Sequence, residues 1–301
     1  MATNPWHPPF RPGTLLEEIQ RAEKHGQSSG ALEPIPTSFE RLEQNGIPFI
    51  VRVVDNLTRK PKAYCAVQSK ASSDPFLPYE PDLYVADVSD SHVAVLNKYH
   101  VMDRHLLVVT RQAEDQENLL TVADFFALWR CLREVDGLGF YNGGEIAGAS
   151  QRHKHLQLVP FPLSEGVDGV PIAPVVLDAL EQGKRVVDRF AFRHAVAPCE
   201  EGWQRDPHAA ACSCHSRYLE LFREVGIEIT SRTIRQPMSY NFLMTRRWMM
   251  LVPRSSEKYE GISINGIGYA GGLLVRNATE LALVRAAGPM EILKKVGISI
   301  S

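Results

Sequence analysis

The 301-residue chain is long enough for one large α/β domain or two packed lobes, and its 44% hydrophobic content suffices for a sizeable core. Its 33 basic and 35 acidic residues leave a net charge of −2, which excludes a global field for nucleic acid or a membrane surface. No apolar run reaches a membrane span, "MATNPWHPPFRPG" lacks a signal-peptide apolar stretch, and the five cysteines are odd in number and sparse, so a reduced, cytoplasmic protein is expected.

In chain order, "TLLEEIQRAEKHG" has Thr14 and Glu17 in capping-box spacing and predicts a helix closed near Gly26. "PFIVRVVDN" reads as a strand, and the Pro-, Ser- and Asp-bearing stretch 58–81 as a long loop. "HVAVLN" and "HLLVVT" are two short strands. Thr121 caps a helix through Val135 whose apolar face carries Val122, Phe125, Phe126, Trp129 and Leu132. "GFYNGG" and "HKHLQL" follow as strands, and "FPLSEGVDGVPIAP" is the best candidate boundary. Beyond it a helix is expected near 174–186, a strand at "RFAFRHAVA" and a helix from about Ser216 to Val225. "YNFLMT", "WMMLVPR" and "YAGGLLV" read as strands, with one or two final helices from Ala278. The alternation argues an α/β or α+β fold with a mixed sheet.

The stretch "GGEIAGASQRHKHLQLVP" holds the chemistry. On a strand, His153, His155 and Gln157 project from one face at roughly 6.6 Å intervals, with Lys154, Leu156 and Leu158 on the other. Three readings fit: hydrogen-bonded strand histidines, a zinc pair for which Gln157 is a poor third ligand, or phosphate chemistry. In the last, glycines of "NGGEIAGAS" let backbone N–H groups approach phosphate oxygens while a neutral imidazole attacks phosphorus.

Asn142, Gly143, Gly144, Gly148, Ser150, His153, His155 and Gln157 together resemble the signature of the histidine triad (HIT) superfamily. The Gln ending resembles its nucleotidyltransferase branch. "LNKYHVMDRHLLVVT", "YNFLMTRRWMMLVPRS" and "INGIGYAGGLLV" are similar, in order, to blocks of the diadenosine tetraphosphate phosphorylases (ATP adenylyltransferases). The resemblance implies a HIT-like, largely antiparallel sheet flanked by helices. A catalytic region over 1–165 is followed by an adenylyltransferase-type region over 175–301 that extends it or packs with it as one unit.

It further implies phosphorolysis of diadenosine tetraphosphate to ATP and ADP through a histidine–AMP intermediate, with ATP, ADP and phosphate as the other small-molecule partners. His155 inherits the role of nucleophile. His153 supports its orientation and the phosphate oxygens, Gln157 donates to a nonbridging oxygen, and Ser150 meets the bridging or leaving oxygen. Asn142, Gly143, Gly144, Gly148 and Ala149 form the phosphate cradle, and Asn97, eight residues before His105, takes the ribose hydroxyls. Lys98, Arg104, Arg111, Lys154, Arg246, Arg247 and Arg254 are the cations offered to a polyphosphate, with the Arg246–Arg247 pair favoured because it lies inside a matching block. Magnesium accompanying the nucleotide is allowed, no tightly bound organic cofactor is implied, and the oligomeric state is left open. The same row would serve a nucleotidyltransferase or phosphorylase of sugar phosphates or nucleotide sugars, or a nucleotide-sensing protein without turnover. Cys199, His208, Cys212, Cys214 and His215 lack a standard zinc spacing, and a loop entering the next helix is expected there.

Overall fold

The computed structural model describes residues 10–54, 74–164, 166–200 and 206–300. Its centre is an eight-stranded sheet in which every neighbouring pair is antiparallel. The strands are β3 (Tyr84–Asp87), β4 (His92–Leu96), β5 (Leu106–Thr110), β6 (Gly137–Gly143), β7 (His155–Pro160), β8 (Ala195–Pro198), β9 (Tyr240–Met244) and β10 (Trp248–Pro253), in the order β3-β4-β5-β7-β6-β9-β10-β8. β6 is hydrogen-bonded to β7 on one side and to β9 on the other, so segments before and after the 161–174 connector share one sheet.

Alternation along these strands builds two cores. Leu106, Val108, Leu156, Leu158, Met249 and Leu251 point to one face, under α1 (Leu15–Ser29), α2 (Val122–Glu134) and α4 (Pro207–Glu224). Leu138, Phe140, Val159, Met250 and Val252 point to the other, with Phe49 and Val51 of a smaller sheet and with the C-terminal helices. That sheet pairs β1 (Thr37–Gln44) with β2 (Ile47–Val54) through an Asn45–Gly46 turn in which both residues have positive φ. β13 (Gly272–Val275) adds in parallel to β2. α3 (Ala173–Glu181), a small hairpin of β11 (Lys258–Tyr259) and β12 (Ile262–Ser263), the one-turn α5 (Gly266–Tyr269), α6 (Ala278–Ala287) and α7 (Pro289–Val296) complete the fold. Among the described residues no helix is long and apolar enough to cross a membrane.

Most expected elements are present, with several differences. α1 runs a turn beyond Gly26, which is buried inside it, and ends at Gly30 with φ 76°. Thr14 makes no capping bond; its hydroxyl donates to Arg11 O. The strand expected over "RFAFRHAVA" shrinks to β8. The helix expected from Ser216 begins at Pro207, because Asp206 accepts from the His208 and Ala209 N–H groups, so what read as a loop is helix. Of the expected 58–81 loop, residues up to 73 lie outside the described ones. Thr121, by contrast, caps α2 in a complete box with Asp124.

Candidate active site

β7 lies between β5 and β6, where His155 is opposite Val109 and Gln157 is opposite both Leu107 and Phe140. His153 lies just before the strand, bridged to Asp115. The period of two does place the three side chains on one face, and all are largely buried.

The reverse face corrects one expectation. Lys154 is fully buried, with Nζ donating to Asp124 Oδ2 at 2.7 Å and to Leu119 O at 3.0 Å, and with Glu114 3.4 Å away. His92 closes on Asp124 at 3.1 Å from the other side. Burial pushes the Asp124 carboxyl up, but the His92 hydrogen bond and the Lys154 charge more than reverse this and hold it below the usual carboxylate range. Lys154 therefore fastens the strand from behind and is no phosphate ligand.

His155 has the features a nitrogen nucleophile requires. Burial lowers its pKa to about 4, against a hydrogen bond to the main chain that raises it, so the ring is neutral near pH 7. Its Nδ1 lies 2.8 Å from His153 O, a group that only accepts, so the ring hydrogen sits on Nδ1 and Nε2 carries the lone pair. Among the described residues nothing donates to Nε2, and the buried side-chain atoms lacking a partner are Ser164 Oγ and Gln236 Oε1, so Nε2 is open rather than sealed. Gln116 holds the backbone: its Oε1 accepts from His155 N at 2.8 Å, and its Nε2 donates to Asn142 O at 2.9 Å and His155 O at 3.2 Å. The Phe76 ring packs 5.4 Å from His155 and 5.6 Å from His153.

His153 orients the His155 ring through its carbonyl, while its own ring faces inward. Nε2 meets Thr110 O at 2.7 Å and Thr110 Oγ1 at 2.9 Å, and Nδ1 meets Asp74 Oδ2 at 2.6 Å. Its expected contact with phosphate oxygens is not what the geometry provides. Gln157 Oε1 lies 2.9 Å from His105 Nε2, whose Nδ1 lies 3.2 Å from Asn97 Nδ2. Asn97 is thereby brought to the row. Lys98 is paired with Glu80 at 3.1 Å and is near Glu33 at 3.9 Å.

The glycine loop stands beside His155 but is built differently from the expectation. A Cβ on Gly143 would meet Gln236 Oε1 at 2.3 Å, and one on Gly148, whose φ is 87°, would meet the Asn265 backbone at 2.9 Å. These glycines admit protein rather than ligand. Gly144 also has positive φ, 85°. The Gly148 and Ala149 N–H groups donate to Glu145 O and Gly144 O, closing the loop on itself. Asn142, buried, accepts on Oδ1 from Asn241 Nδ2 at 2.8 Å and Gly266 N at 2.9 Å, joining the loop to α5. Ser150 is exposed at the loop's end.

The favoured arginine pair is not brought here. The β6–β9 register places residues 245–247 at the far end of the sheet, beyond Gly139 opposite Met244. Arg246 donates to Leu132 O at 2.6 Å and Arg133 O at 3.0 Å, capping α2, and Arg247 is exposed beside it. Arg254 is buried, bonded to Asn241 Oδ1 at 2.6 Å and Ile264 O at 2.9 Å beneath the loop. Arg111 pairs with Asp87, and Arg104 lies 3.9 Å from Glu23. The five Cys and His residues weighed for zinc do not converge. His208 and Cys212 share a face of α4 at 3.9 Å, Cys214 is buried and Cys199 Sγ meets Thr245 O. Among the described residues no group of three or more His, Cys, Asp or Glu side chains is arranged for a metal.

A model of the Ap4A phosphorylase N-terminal domain matches residues 6–178, and one of the ATP adenylyltransferase C-terminal domain matches residues 188–299. The chain belongs to the Ap4A phosphorylase family. Diadenosine 5',5'''-P1,P4-tetraphosphate phosphorylase 2 of Saccharomyces cerevisiae is 28% identical over 89% of this chain and 90% of its own length. The crystal structure of yeast Ap4A phosphorylase Apa2 has a TM-score of 0.78 at 22% identity, covering 97% of this chain and 100% of that one. Its complex with AMP has a TM-score of 0.73 at 26% identity, covering 96% and 98%.

Several residues that build the site in this Ap4A phosphorylase family member escape sequence reasoning. Gln116, Thr110, Asp74 and Phe76 act on the row from distant segments, Asn241 holds the loop through Asn142 and Ala147 O, and none shows a local pattern. Arg152, directly before His153 and 93% exposed at its side chain, and Arg235 beside Asp115 and Glu117 are cations at the rim of the loop. Their nearness to "GAS" and "HKH" was the available signal for Arg152.

Proposed function

We propose that this chain phosphorolyses diadenosine tetraphosphate to ATP and ADP, reversibly, through adenylyl-His155. The observation that carries this is the open Nε2 of a neutral imidazole whose Nδ1 hydrogen is fixed on His153 O at 2.8 Å. The Nε2 lone pair forms a bond to the α-phosphorus as the bond to the bridging oxygen breaks, and ATP leaves with that electron pair. An oxygen of inorganic phosphate then attacks the same phosphorus, the N–P bond breaks, and ADP departs with the neutral imidazole restored. Gln157 supplies a neutral donor and no proton shuttle, so water is not activated and the intermediate waits for phosphate. Family membership and the relative named for this substrate select it over a sugar-phosphate reading.

Arg152 and Arg235 are the cations we assign to the departing polyphosphate, in place of Arg246 and Arg247. Magnesium fits as a passenger on the phosphates, neutralising their charge. No described carboxylate set is grouped to hold it, so its ligands would be phosphate oxygens and water. A cytoplasmic location is supported by the four described cysteines, all free thiols. The test is chromatography of nucleotides after incubation with diadenosine tetraphosphate. Equal ATP and ADP, formed only with phosphate present, is expected; two ADP, or AMP with ATP at full rate without phosphate, would overturn it.

A further inference from the structure

The hydrogen bonds behind Gln157 form a chain whose direction is set at one end. It begins at a main-chain N–H, which only donates: Tyr99 N to Asn97 Oδ1, 3.3 Å. An amide that accepts on Oδ1 presents hydrogens on Nδ2, and Asn97 Nδ2 lies 3.2 Å from His105 Nδ1, which must therefore accept. Burial lowers the His105 pKa to about 4, so its ring is neutral and has a single N–H. That hydrogen is on Nε2 and donates to Gln157 Oε1 at 2.9 Å. With Oε1 engaged by His105, the Gln157 Nε2 hydrogens are the end left for a ligand.

We propose that Asn97 and His105 are positioning residues that fix the polarity of the Gln157 amide, so that its N–H groups and not its oxygen face the transferring phosphoryl group. The proposal rests on the phosphoryl-transfer reading of His155 above and deepens it. An amide flips by rotation about one bond, and the wrong face would set a partial negative charge against nonbridging oxygens whose charge grows in the transition state. His105, which enters the sequence reading only through its spacing to Asn97, becomes the element that selects the correct face. Asn97 keeps one N–H and one lone pair for a ribose, so the two roles are compatible.

Asn97→Asp tests this with a side chain of the same shape. A carboxylate only accepts, so His105 must move its hydrogen to Nδ1, Nε2 becomes an acceptor, and the Gln157 amide turns over. In protein labelled with ¹⁵N-histidine, the wild type should show His105 with a bare Nδ1 and a hydrogen on Nε2, and the variant the reverse. The kcat for diadenosine tetraphosphate should fall about 10²-fold with KM little changed, the range for losing one preorganised donor. A residue serving only the ribose predicts otherwise, since a carboxylate still accepts from hydroxyls: an unchanged tautomer with unchanged kcat would overturn the proposal. So would a wild-type His105 carrying its hydrogen on Nδ1. Gln157→Glu provides a second arm, keeping an acceptor for His105 while replacing the outward donor by an anionic oxygen. Here kcat should collapse with the His105 tautomer unmoved, and retained kcat would overturn the proposal. The tautomer is read without substrate, so a failed relay is distinguishable from a wrong substrate.

Discussion

His155 and His194 stand in nearly the same local setting. Each Nδ1 lies 2.8 Å from the carbonyl two residues earlier, His153 O in one case and Phe192 O in the other. Burial lowers each pKa to about 4. They part at the second nitrogen: His194 Nε2 accepts from the Val187 N–H at 2.8 Å, whereas His155 Nε2 has no donor among the described residues. Burial and a fixed tautomer alone therefore do not mark a nucleophile. The role we propose for His155 rests on its free lone pair.

Replacing each ring separates the two. His155→Gly should lower kcat by about 10⁴-fold or more, the scale on which removal of a catalytic nucleophile is measured, with nucleotide affinity largely kept. His194→Ala should leave kcat within a few-fold and cost about 1–3 kcal/mol in denaturant titration, because a buried N–H loses its acceptor. Comparable kcat losses in the two variants would erase the distinction.

Lys154→Met tests the reverse face of the same strand. It strands the Asp124 carboxylate, so about 3–5 kcal/mol of stability should be lost. Activity per folded molecule should fall far less than in His155→Gly. A raised KM with unchanged melting temperature would return Lys154 to the phosphate.

The legible part of this molecule is the part with a local signal. The row shows itself through its period of two behind a run of glycines, and the α2 cap through Thr121 ahead of an apolar helical face. Lys154 misleads because a lysine between two site histidines reads as a cation for the polyphosphate, and only the packing of α2 reveals Asp124 behind it. The Arg246–Arg247 pair misleads because its position depends on strand register: antiparallel pairing carries the β9–β10 turn to the end of the sheet away from Asn142. β1 is hidden by its polar sequence, although Asn45–Gly46 announces the hairpin. Asp74 reaches His153 from a stretch whose composition says only loop.

Acid acts on the two rings alike, and more gently than substitution. Both rings titrate at about 4 in the fold against an ordinary 6.5, so the unfolded chain binds the extra protons. Their contribution to stability is fully present above about pH 6.5 and is lost as pH falls through about 4. His194→Gln should flatten the loss of stability between pH 6.5 and 4 measured by urea titration, and an unaltered slope would count against a neutral His194. The wild-type rate should hold from pH 7 to about 5. A smaller effect still is expected of Arg246→Ala, about 0.5–1.5 kcal/mol from the lost helix-end hydrogen bonds, with KM for the tetraphosphate unmoved.

The most direct test of the central claim is to trap the covalent intermediate. A phosphoramidate of imidazole is acid-labile and survives alkali, so protein mixed with diadenosine tetraphosphate without phosphate is quenched in base, digested and weighed by mass spectrometry. AMP is expected on the peptide containing His155, discharged as ADP when phosphate is added before the quench, and absent from His155→Gly. AMP on His153, or a labelled and active His155→Gly protein, would contradict the claim.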